Sequence, residues 1–251
     1  MMMGVRVVHA SKDEYGNYSR GAAGDQTGQE VCQRNWYDRP WDVVARPKYD
    51  YIARYTATIA AILATSPAIG YDQGDRLSLY KACSLINWDI NRINELIPCE
   101  CDCSSFIAVV LRFAGIEIPD NVWTGNLEYY LSLSGFYTLI YEQGIRKSDR
   151  QLRAGDILIN RVHHVAIAIT NGSEATLDVM YTAFVNVSTY LQVRTSPEIS
   201  DNEYKIGGHS IRLPPGLRVI VCEESGEWGR LYDLPGWVNL RYLTRGTING
   251  L

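Results

Sequence analysis

The sequence lacks several features that mark specialised classes of protein. None of its apolar runs approaches the roughly 18 residues that a membrane-spanning helix needs. Its amino terminus has neither the apolar core nor the small-residue cleavage site of a signal peptide. It has no cluster of Lys and Arg, and its formal net charge of −4 argues against a nucleic-acid partner. We therefore expect synthesis in the cytoplasm without an export signal, no membrane insertion and no bound nucleic acid.

Cysteine is too scarce for a disulfide scaffold, because the 251 residues include only six of them. Three are crowded together as Cys99, Cys101 and Cys103, and the others are scattered. This cluster indicates redox chemistry, metal binding, or one nucleophile beside two cysteines that take no part in the chemistry. Hydrophobic residues at 46% and charged residues at 21% are ordinary values for one or two globular domains.

Hydrophobic periodicity predicts an α+β fold in the first part of the chain. A short strand at residues 5–8 and a polar loop to residue 28 come first. Apolar spacing then predicts helices over residues 51–64, 77–96 and 103–114, with a shorter helix at 127–133. The segments GDILI and HVAIAIT that follow residue 154 are typical of strands. Helices followed by an antiparallel sheet indicate an α+β arrangement.

The hydrophobic pattern of the sequence changes beyond residue 172. Residues 182–245 consist of short β-branched runs between turn residues, a pattern typical of a small barrel. We place a boundary at residues 172–181, which gives domains at 1–174 and 182–245.

Cys103 is the best candidate for a nucleophile. Asp102 or Ser104 can cap the helix that begins there, and the helix dipole is expected to lower the thiol pKa. A thiol also needs a base, most often a histidine from a distant part of the chain. Of the four histidines, His164 opens a predicted strand and is favoured over its neighbour His163.

Two other interpretations of the cysteines remain open. The three clustered cysteines could bind zinc with help from Cys32 or His163, although structural zinc sites usually use a CxxC-like spacing. Cys83 and Cys222 are expected to be small core residues, as are the two cysteines that precede Cys103.

Two motifs resemble those of a known family. DCSSF at residues 102–106, continuing to AGIEIPDN, resembles the DCSGF signature of NlpC-type papain-like peptidoglycan hydrolases. GDILINRVHHVAIAITNG resembles the segment of that family that carries the general base. The resemblance assigns the nucleophile to Cys103 and the base to His164. The chain departs from the family pattern by having Ser105 and Ala166 where the family has glycine.

The third catalytic residue of the family is a polar group, often a histidine, about a dozen residues past the base. No suitable residue follows the predicted strand here, but VVHAS at residues 7–11 has the expected pattern. We therefore hypothesise a circular permutation in which the first strand pairs beside HVAIAIT and His9 orients His164. Alternatively His9 is a surface residue, and a backbone carbonyl or Gln26 has this role.

Substrate-binding residues are predicted with the help of the same resemblance. The loop GAAGDQTGQEV resembles a segment of phage lysins, so Asp25, Gln26 and Thr27 either contact a stem peptide or, as we favour, cap the next element. Family members hold the polar end of the substrate with a tyrosine. Tyr71 is the candidate here, with Asp72 able to receive a free amine, and a core or turn role for Tyr71 is equally open.

Residues 182–245 resemble a bacterial SH3-like cell-wall-binding domain. LQVRTSP, GLRVIV, EWGRL and GWVNLRYL match successive parts of its pattern. Trp228 could stack on glycan or peptide, or pack the small barrel.

Together the resemblances imply a cysteine peptidoglycan hydrolase with a wall-targeting domain, acting at the bacterial cell wall as a phage or prophage lysin. We expect a monomer that needs no metal or organic cofactor. The expected reaction is that of a D-γ-glutamyl-diamino acid endopeptidase, with an N-acetylmuramoyl-L-alanine amidase as the alternative. A non-catalytic wall-binding module and a zinc-stabilised interaction module are alternatives from other classes.

Overall fold

A computed structural model describes residues 4–175, 181–206, 209–232, 234 and 236–246 of the chain. The chain forms two compact units, Met1–Ala175 and Thr176–Leu251. The boundary predicted at residues 172–181 lies partly outside the described residues, because 176–180 are not among them.

The first unit is built on a six-stranded sheet in the order β2-β1-β8-β7-β3-β6. All of its neighbouring strands run antiparallel. A separate parallel pair, β4 and β5, lies outside this sheet. The strands are β1 (Arg6–Ala10), β2 (Val31–Asn35), β3 (Val43–Pro47), β4 (Ile69–Tyr71), β5 (Cys99–Cys101), β6 (Tyr137–Ile140), β7 (Ile157–Asn160) and β8 (His164–Ala168).

The sequence predicts four helices in this unit, and three of them begin and end close to the predicted positions. The helices are α1 (Asp50–Leu63), α2 (Ser78–Leu85), α3 (Cys103–Phe113), α4 (Thr124–Leu133) and α5 (Gln143–Arg146), of which α5 is not predicted. The helix predicted over residues 77–96 is too long, because α2 ends at Leu85. Asn87 and Trp88 both have φ of 56°, a left-handed conformation that ends a helix. A separate 3-10 helix, Ile90–Glu95, follows.

The predicted order of helices before the sheet is also wrong in part. Three strands, β1 to β3, precede the first helix and supply half of the main sheet. β2 and β3 are short, and they lie on either side of the polar, aromatic stretch NWYDRPW, so the sequence gives little period-two signal there. The pairing of β1 with β8 agrees with the adjacency expected from the permutation hypothesis: Val7 faces Ala168 and Val8 faces Ile167.

The two faces of the main sheet pack against different groups of side chains. One face carries Val8, Ile157 and Ile167, which share a buried core with residues of α1 and α3. The other face carries Val7 and Ala166, in a smaller cluster that includes Trp41. Because side chains alternate along a strand, β1 and β8 each contribute to both clusters. On the first of these faces, α3 packs against β8 and β1.

Apart from one 3-10 helix, Leu240–Tyr242, the regular elements among the described residues of the second unit are strands, as its sequence pattern predicts. Its main sheet has five antiparallel strands in the order β16-β15-β14-β9-β17, and two short ladders, β10 with β13 and β11 with β12, accompany it. The strands are β9 (Tyr181–Val185), β10 (Leu191–Gln192), β11 (Lys205–Ile206), β12 (His209–Ser210), β13 (Arg212–Leu213), β14 (Arg218–Ser225), β15 (Trp228–Leu231), β16 (Trp237–Asn239) and β17 (Leu243–Arg245). Among the described residues, no helix is long and apolar enough to cross a membrane.

Candidate active site

Cys103 is the first residue of α3, and Asp102 fixes the start of that helix. The Asp102 carboxylate accepts hydrogen bonds from the backbone N–H groups of Ser104 and Ser105. The Ser105 hydroxyl in turn accepts the N–H of Asp102, which completes a capping box. Of the two cap candidates in the sequence, Asp102 is the one that caps, and the backbone on either side of the Cys103 thiol is held rigidly.

The Cys103 thiol lies near the start of β8. The backbone N–H groups of Val165 and Ser104 stabilise the charged form of this thiol and so oppose a rise in its pKa. On β8 the N–H of Ile169 donates to β1, so odd-numbered N–H groups point toward that strand. The β1–β8 ladder ends at the Val8–Ile167 pair. The Cys103 thiol is therefore close to the gap that begins where β1 and β8 no longer pair.

Burial dominates the chemistry of this thiol. Only 6% of Cys103 is exposed. Burial, followed by the nearby charge of Asp102, raises the pKa of the thiol to about 12, although the two N–H donors and Arg76 oppose this shift. The expectation that the helix amino terminus would lower the thiol pKa is thus wrong in direction, because loss of hydration outweighs the helix dipole. The resting group is a neutral thiol.

His164 and His9 form a buried pair at the same gap. Nε2 of His164 lies 3.1 Å from Nδ1 of His9, and the two rings meet edge-on at 81°. Trp41 stacks against the other side of the His164 ring, with an interplanar angle of 27°. Within the described residues, no hydrogen bond is made by Nδ1 of His164, and none joins His164 to the Cys103 sulfur.

Both histidines are neutral at physiological pH. Burial lowers the pKa of His164 to about 3, and the neighbouring charge of His9 adds to this effect. Burial also lowers the pKa of His9 to about 4, with smaller contributions from Arg34 and Arg39. A neutral imidazole has one donor and one acceptor nitrogen, so an Nε2···Nδ1 contact fixes the tautomers of both rings together.

Tyr37 joins this pair, although the sequence analysis did not identify it. Its hydroxyl lies 3.1 Å from Nδ1 of His9, and burial raises its pKa to about 12. The Arg34 guanidinium lies 4.4 Å above its ring. The side chain of Asn160 donates to the carbonyl of Pro40 and so anchors the segment that carries Tyr37. The aromatic stretch NWYDRPW was the only sign in the sequence that Tyr37 could have a role. It does not show that Tyr37 faces β8, which begins more than 120 residues later.

The β7–β8 turn separates the two adjacent histidines. The Asn160 side chain accepts the backbone N–H of His163, and Thr124 donates to the carbonyl of Arg161. His164 turns into the buried pair, whereas His163 is exposed. His163 instead lines a cavity of about 300 Å³ that also contains Cys103.

The same cavity contains Arg76, another residue that the sequence analysis missed. Its guanidinium contacts the Asp102 carboxylate at 2.8 Å and the Ser104 hydroxyl at 3.1 Å, and it donates to the carbonyl of Val122. Arg76 therefore ties the cap of α3 to the segment before α4. The other principal lining residues of the cavity are Gln73, Trp123 and Thr124.

Tyr71 and Asp72 lie close to this site but are buried. The Tyr71 hydroxyl accepts a hydrogen bond from Gln73, and burial, followed by the neighbouring Cys103 group, raises its pKa. The two carboxylate oxygens of Asp72 accept the backbone N–H groups of Arg20 and Gly74. Asp72 thus holds two loops together.

The residues of the GDQTG segment stabilise their own loop. The Asp25 carboxylate accepts the N–H groups of Thr27 and Gly28, and the Gln26 amide donates to the carbonyls of Ala23 and Gly24. This agrees with the local capping role that the sequence favoured.

Trp228 belongs to the second unit and is partly exposed on β15. It lines a groove of about 570 Å³ whose walls include the exposed side chains of Tyr190, Ile199 and Tyr242.

The other clustered cysteines are core residues. Cys99 and Cys101 are buried, and their thiols donate to the carbonyls of Ala68 and Gly70. Among the described residues, no group of three or more His, Cys, Asp or Glu side chains could hold a metal ion.

Comparison with known proteins gives one match. The model of a family described as an endolysin-like domain matches residues 7–175. No curated protein and no solved structure matches the chain.

Proposed function

Because the chain belongs to the endolysin-like domain family, we propose that it is a cysteine peptidase that cleaves an amide bond in the stem peptide of peptidoglycan. The family itself indicates a cell-wall lytic function with peptidoglycan as the substrate. The finer assignment rests on Cys103 as the nucleophile, His164 as the general base and His9 as the residue that orients the base.

The contact between His9 and His164 beside the cysteine is the observation that carries this proposal. When Nε2–H of His164 donates to His9, Nδ1 of His164 is left as the proton acceptor. The backbone N–H of Val165, the next residue along the chain, stabilises the charged form of the Cys103 thiol, which places that thiol close to the base. A nucleophile, a base and a third group that orients the base form the arrangement used in acyl transfer.

The raised thiol pKa and the lowered histidine pKa values favour proton transfer during attack over a preformed ion pair. Nδ1 of His164 takes the thiol proton as the sulfur bonds to the scissile carbonyl carbon. Backbone N–H groups at the start of α3, including that of Cys103, stabilise the resulting oxyanion. The imidazolium then protonates the leaving amine. Water, deprotonated by His164, hydrolyses the thioester and regenerates the free thiol.

The bond we favour lies between D-isoglutamate and the diamino acid, which makes the protein an endopeptidase. An N-acetylmuramoyl-L-alanine amidase would use the same groups, since both reactions open an amide through an acyl-enzyme. In this proposal the first unit is a permuted NlpC-type papain-like domain, with β1 supplying the third residue. Tyr71 remains the candidate for holding the polar end of the substrate and Asp72 for receiving a free amine, while the Asp72 carboxylate also orders the neighbouring loops.

A wall-binding function for the second unit is supported by its groove. Tyr190, Trp228 and Tyr242 present aromatic side chains there, and such surfaces suit sugars and peptides. We propose that this unit is an SH3-like wall-targeting module. A wholly non-catalytic wall-binding protein is the competing function, because this groove alone would suffice for it.

Digestion of purified Gram-positive peptidoglycan by wild type and by Cys103→Ser tests the proposal, with the released fragments identified by mass spectrometry. Fragments that begin with a free diamino acid are expected. Stem peptides that begin with free L-alanine, beside bare glycan, would establish the amidase. If the wild type releases nothing that Cys103→Ser does not, the catalytic proposal fails and the wall-binding function takes its place.

A further inference from the structure

We propose that Trp123 forms the substrate-binding wall of the Cys103 cavity, where its indole packs against a stem-peptide residue next to the scissile amide. Gly125 provides the space in which the indole lies. This inference rests on the proposed peptidase function and names a binding residue that no motif in the sequence identified.

The position of Trp123 is rigid although its side chain is exposed. Trp123 is 55% exposed, whereas Val122 and Thr124 on either side are buried. Arg76 donates to the carbonyl of Val122, and the N–H of Trp123 donates to the side chain of Asn126 at 2.8 Å. The Thr124 hydroxyl donates to the turn before β8 at 2.9 Å. A large aromatic side chain that is firmly placed yet left in water contributes little to folding and suits a binding surface.

Gly125 gives independent support, because its backbone does not require glycine. It lies in the first turn of α4 and has no left-handed φ. A Cβ at this position would overlap the six-membered ring of Trp123. Glycine is a poor helix former, so the helix gains nothing from it. Gly125 therefore places the indole against the backbone of α4, in the wall of the cavity.

The cavity favours peptide over sugar as the group that meets Trp123. Its volume of about 300 Å³ lies at the small end of ligand sites, and Cys103 forms part of its wall. A group held there is within about one residue of the carbonyl that the sulfur attacks. Gln73 and His163 offer an amide and an imidazole on the same cavity, which suit the hydrogen-bonding groups of a peptide backbone. The aromatic face then covers the aliphatic part of the neighbouring side chain.

Steady-state kinetics on a soluble stem peptide without sugar tests this inference. Trp123→Ala should raise KM about tenfold with a small change in kcat, because the lost contact is made in the ground state as well as in the transition state. Trp123→Phe should restore most of the affinity. Tyr129→Ala, which removes an exposed aromatic side chain from the same helix, is the matched control and should leave the kinetics unchanged.

Gly125→Ala provides a second test, in which stability is kept or raised while substrate affinity is lowered. Alanine should keep or raise the thermal stability of the protein, since it favours the helix, and yet raise KM by displacing the indole. In a Trp123→Ala background, Gly125→Ala should have no further effect on KM. A structural role for Gly125 would instead lower stability in both backgrounds.

Three outcomes would overturn the inference. The first is that Trp123→Ala has the KM of the wild type on the sugar-free peptide, and the second is that its KM rises only on sugar-bearing muropeptides. The third is that Trp123→Ala and Gly125→Ala raise KM additively. If the wild type cleaves no substrate, the proposed peptidase function fails separately. Calorimetric binding of the sugar-free peptide to Cys103→Ala, with and without Trp123→Ala, then decides the inference. An unchanged Kd, or the absence of any binding, would refute it.

Discussion

The two sides of Cys103 are built in opposite ways. On one side, His164 and His9 are buried and held neutral against β1 and β8, and the half-buried Tyr37 contacts His9. On the other side, an open polar cavity is bordered by His163 and Trp123. We infer from this contrast that the groups on the buried side transfer the proton and that the open cavity receives the substrate. Two adjacent histidines, His163 and His164, fall on different sides of this division.

The largest expected difference between the two sides is the loss of activity when each histidine is removed. His164→Ala should lower kcat on peptidoglycan by about a thousandfold or more, because the thiol loses the imidazole proposed to accept its proton. His163→Ala should change the rate by only a few-fold, through substrate binding. Initial rates of fragment release measure both. A larger loss in His163→Ala would identify the exposed histidine as the base.

The next largest expected effect is the pH dependence of Cys103 alkylation, which reports the protonation state of the thiol. With a thiol pKa of about 12, the thiolate fraction should rise about tenfold per pH unit through the neutral range. The rate of Cys103 alkylation by iodoacetamide, followed by mass spectrometry of the cysteine-containing peptide, should therefore climb steadily between pH 6 and 9. A plateau across this range would instead indicate a stable thiolate–imidazolium pair.

Much of the proposed catalytic pair could be predicted from sequence, because its signals are local. Cys103 follows a capping aspartate, and His164 opens an alternating strand. VVHAS carried enough pattern to place His9 beside that strand. The direction of the thiol pKa could not be predicted, because it depends on burial by segments far along the chain. Tyr37 and Arg76 were missed for the same reason: their roles come from loops that only tertiary packing brings together.

The first and last residues of a helix could be predicted where the spacing of its apolar residues alone determines them. α1 and α3 agree with their apolar spacing. The helix over residues 77–96 was overextended because the pattern continues through Asn87 and Trp88, whose left-handed backbone breaks the helix. Trp88 turns away to pack against Tyr80 and Phe113. That contact is not visible in the local sequence.

The buried side should also make folding sensitive to acid. The pKa values of His164 and His9, about 3 and about 4 in the folded protein, lie below the ordinary 6.5. Between about pH 6.5 and 4 the unfolded chain therefore binds more protons, and the free energy of unfolding falls as pH falls. Each histidine contributes up to about 1.4 kcal/mol per pH unit.

Urea denaturation at several pH values measures this dependence. His9→Gln should show a shallower loss of stability between pH 6.5 and 4 than the wild type. His209→Gln, which removes an exposed histidine of the second unit, is the control for losing a histidine outside the buried pair. Equal slopes in the wild type and His9→Gln would show that the pair is not held neutral.

Tyr37 should give the smallest effect on the buried side. Tyr37→Phe removes one hydrogen bond to His9, worth about 1 kcal/mol, and should lower kcat by a few-fold with KM unchanged. The same kinetic assay measures this loss. A rise in KM alone would place Tyr37 in substrate binding.

The central claim is that a histidine from the first strand orients the base that serves Cys103. Measuring kcat/KM for His9→Ala on purified peptidoglycan tests it most directly, with thermal unfolding to confirm that the variant is folded. A folded His9→Ala is expected to lose about a hundredfold, less than a serine protease loses without its charged aspartate, because neutral His9 orients the base without a full charge. Near wild-type turnover in folded His9→Ala would contradict the claim and remove His9 from the mechanism.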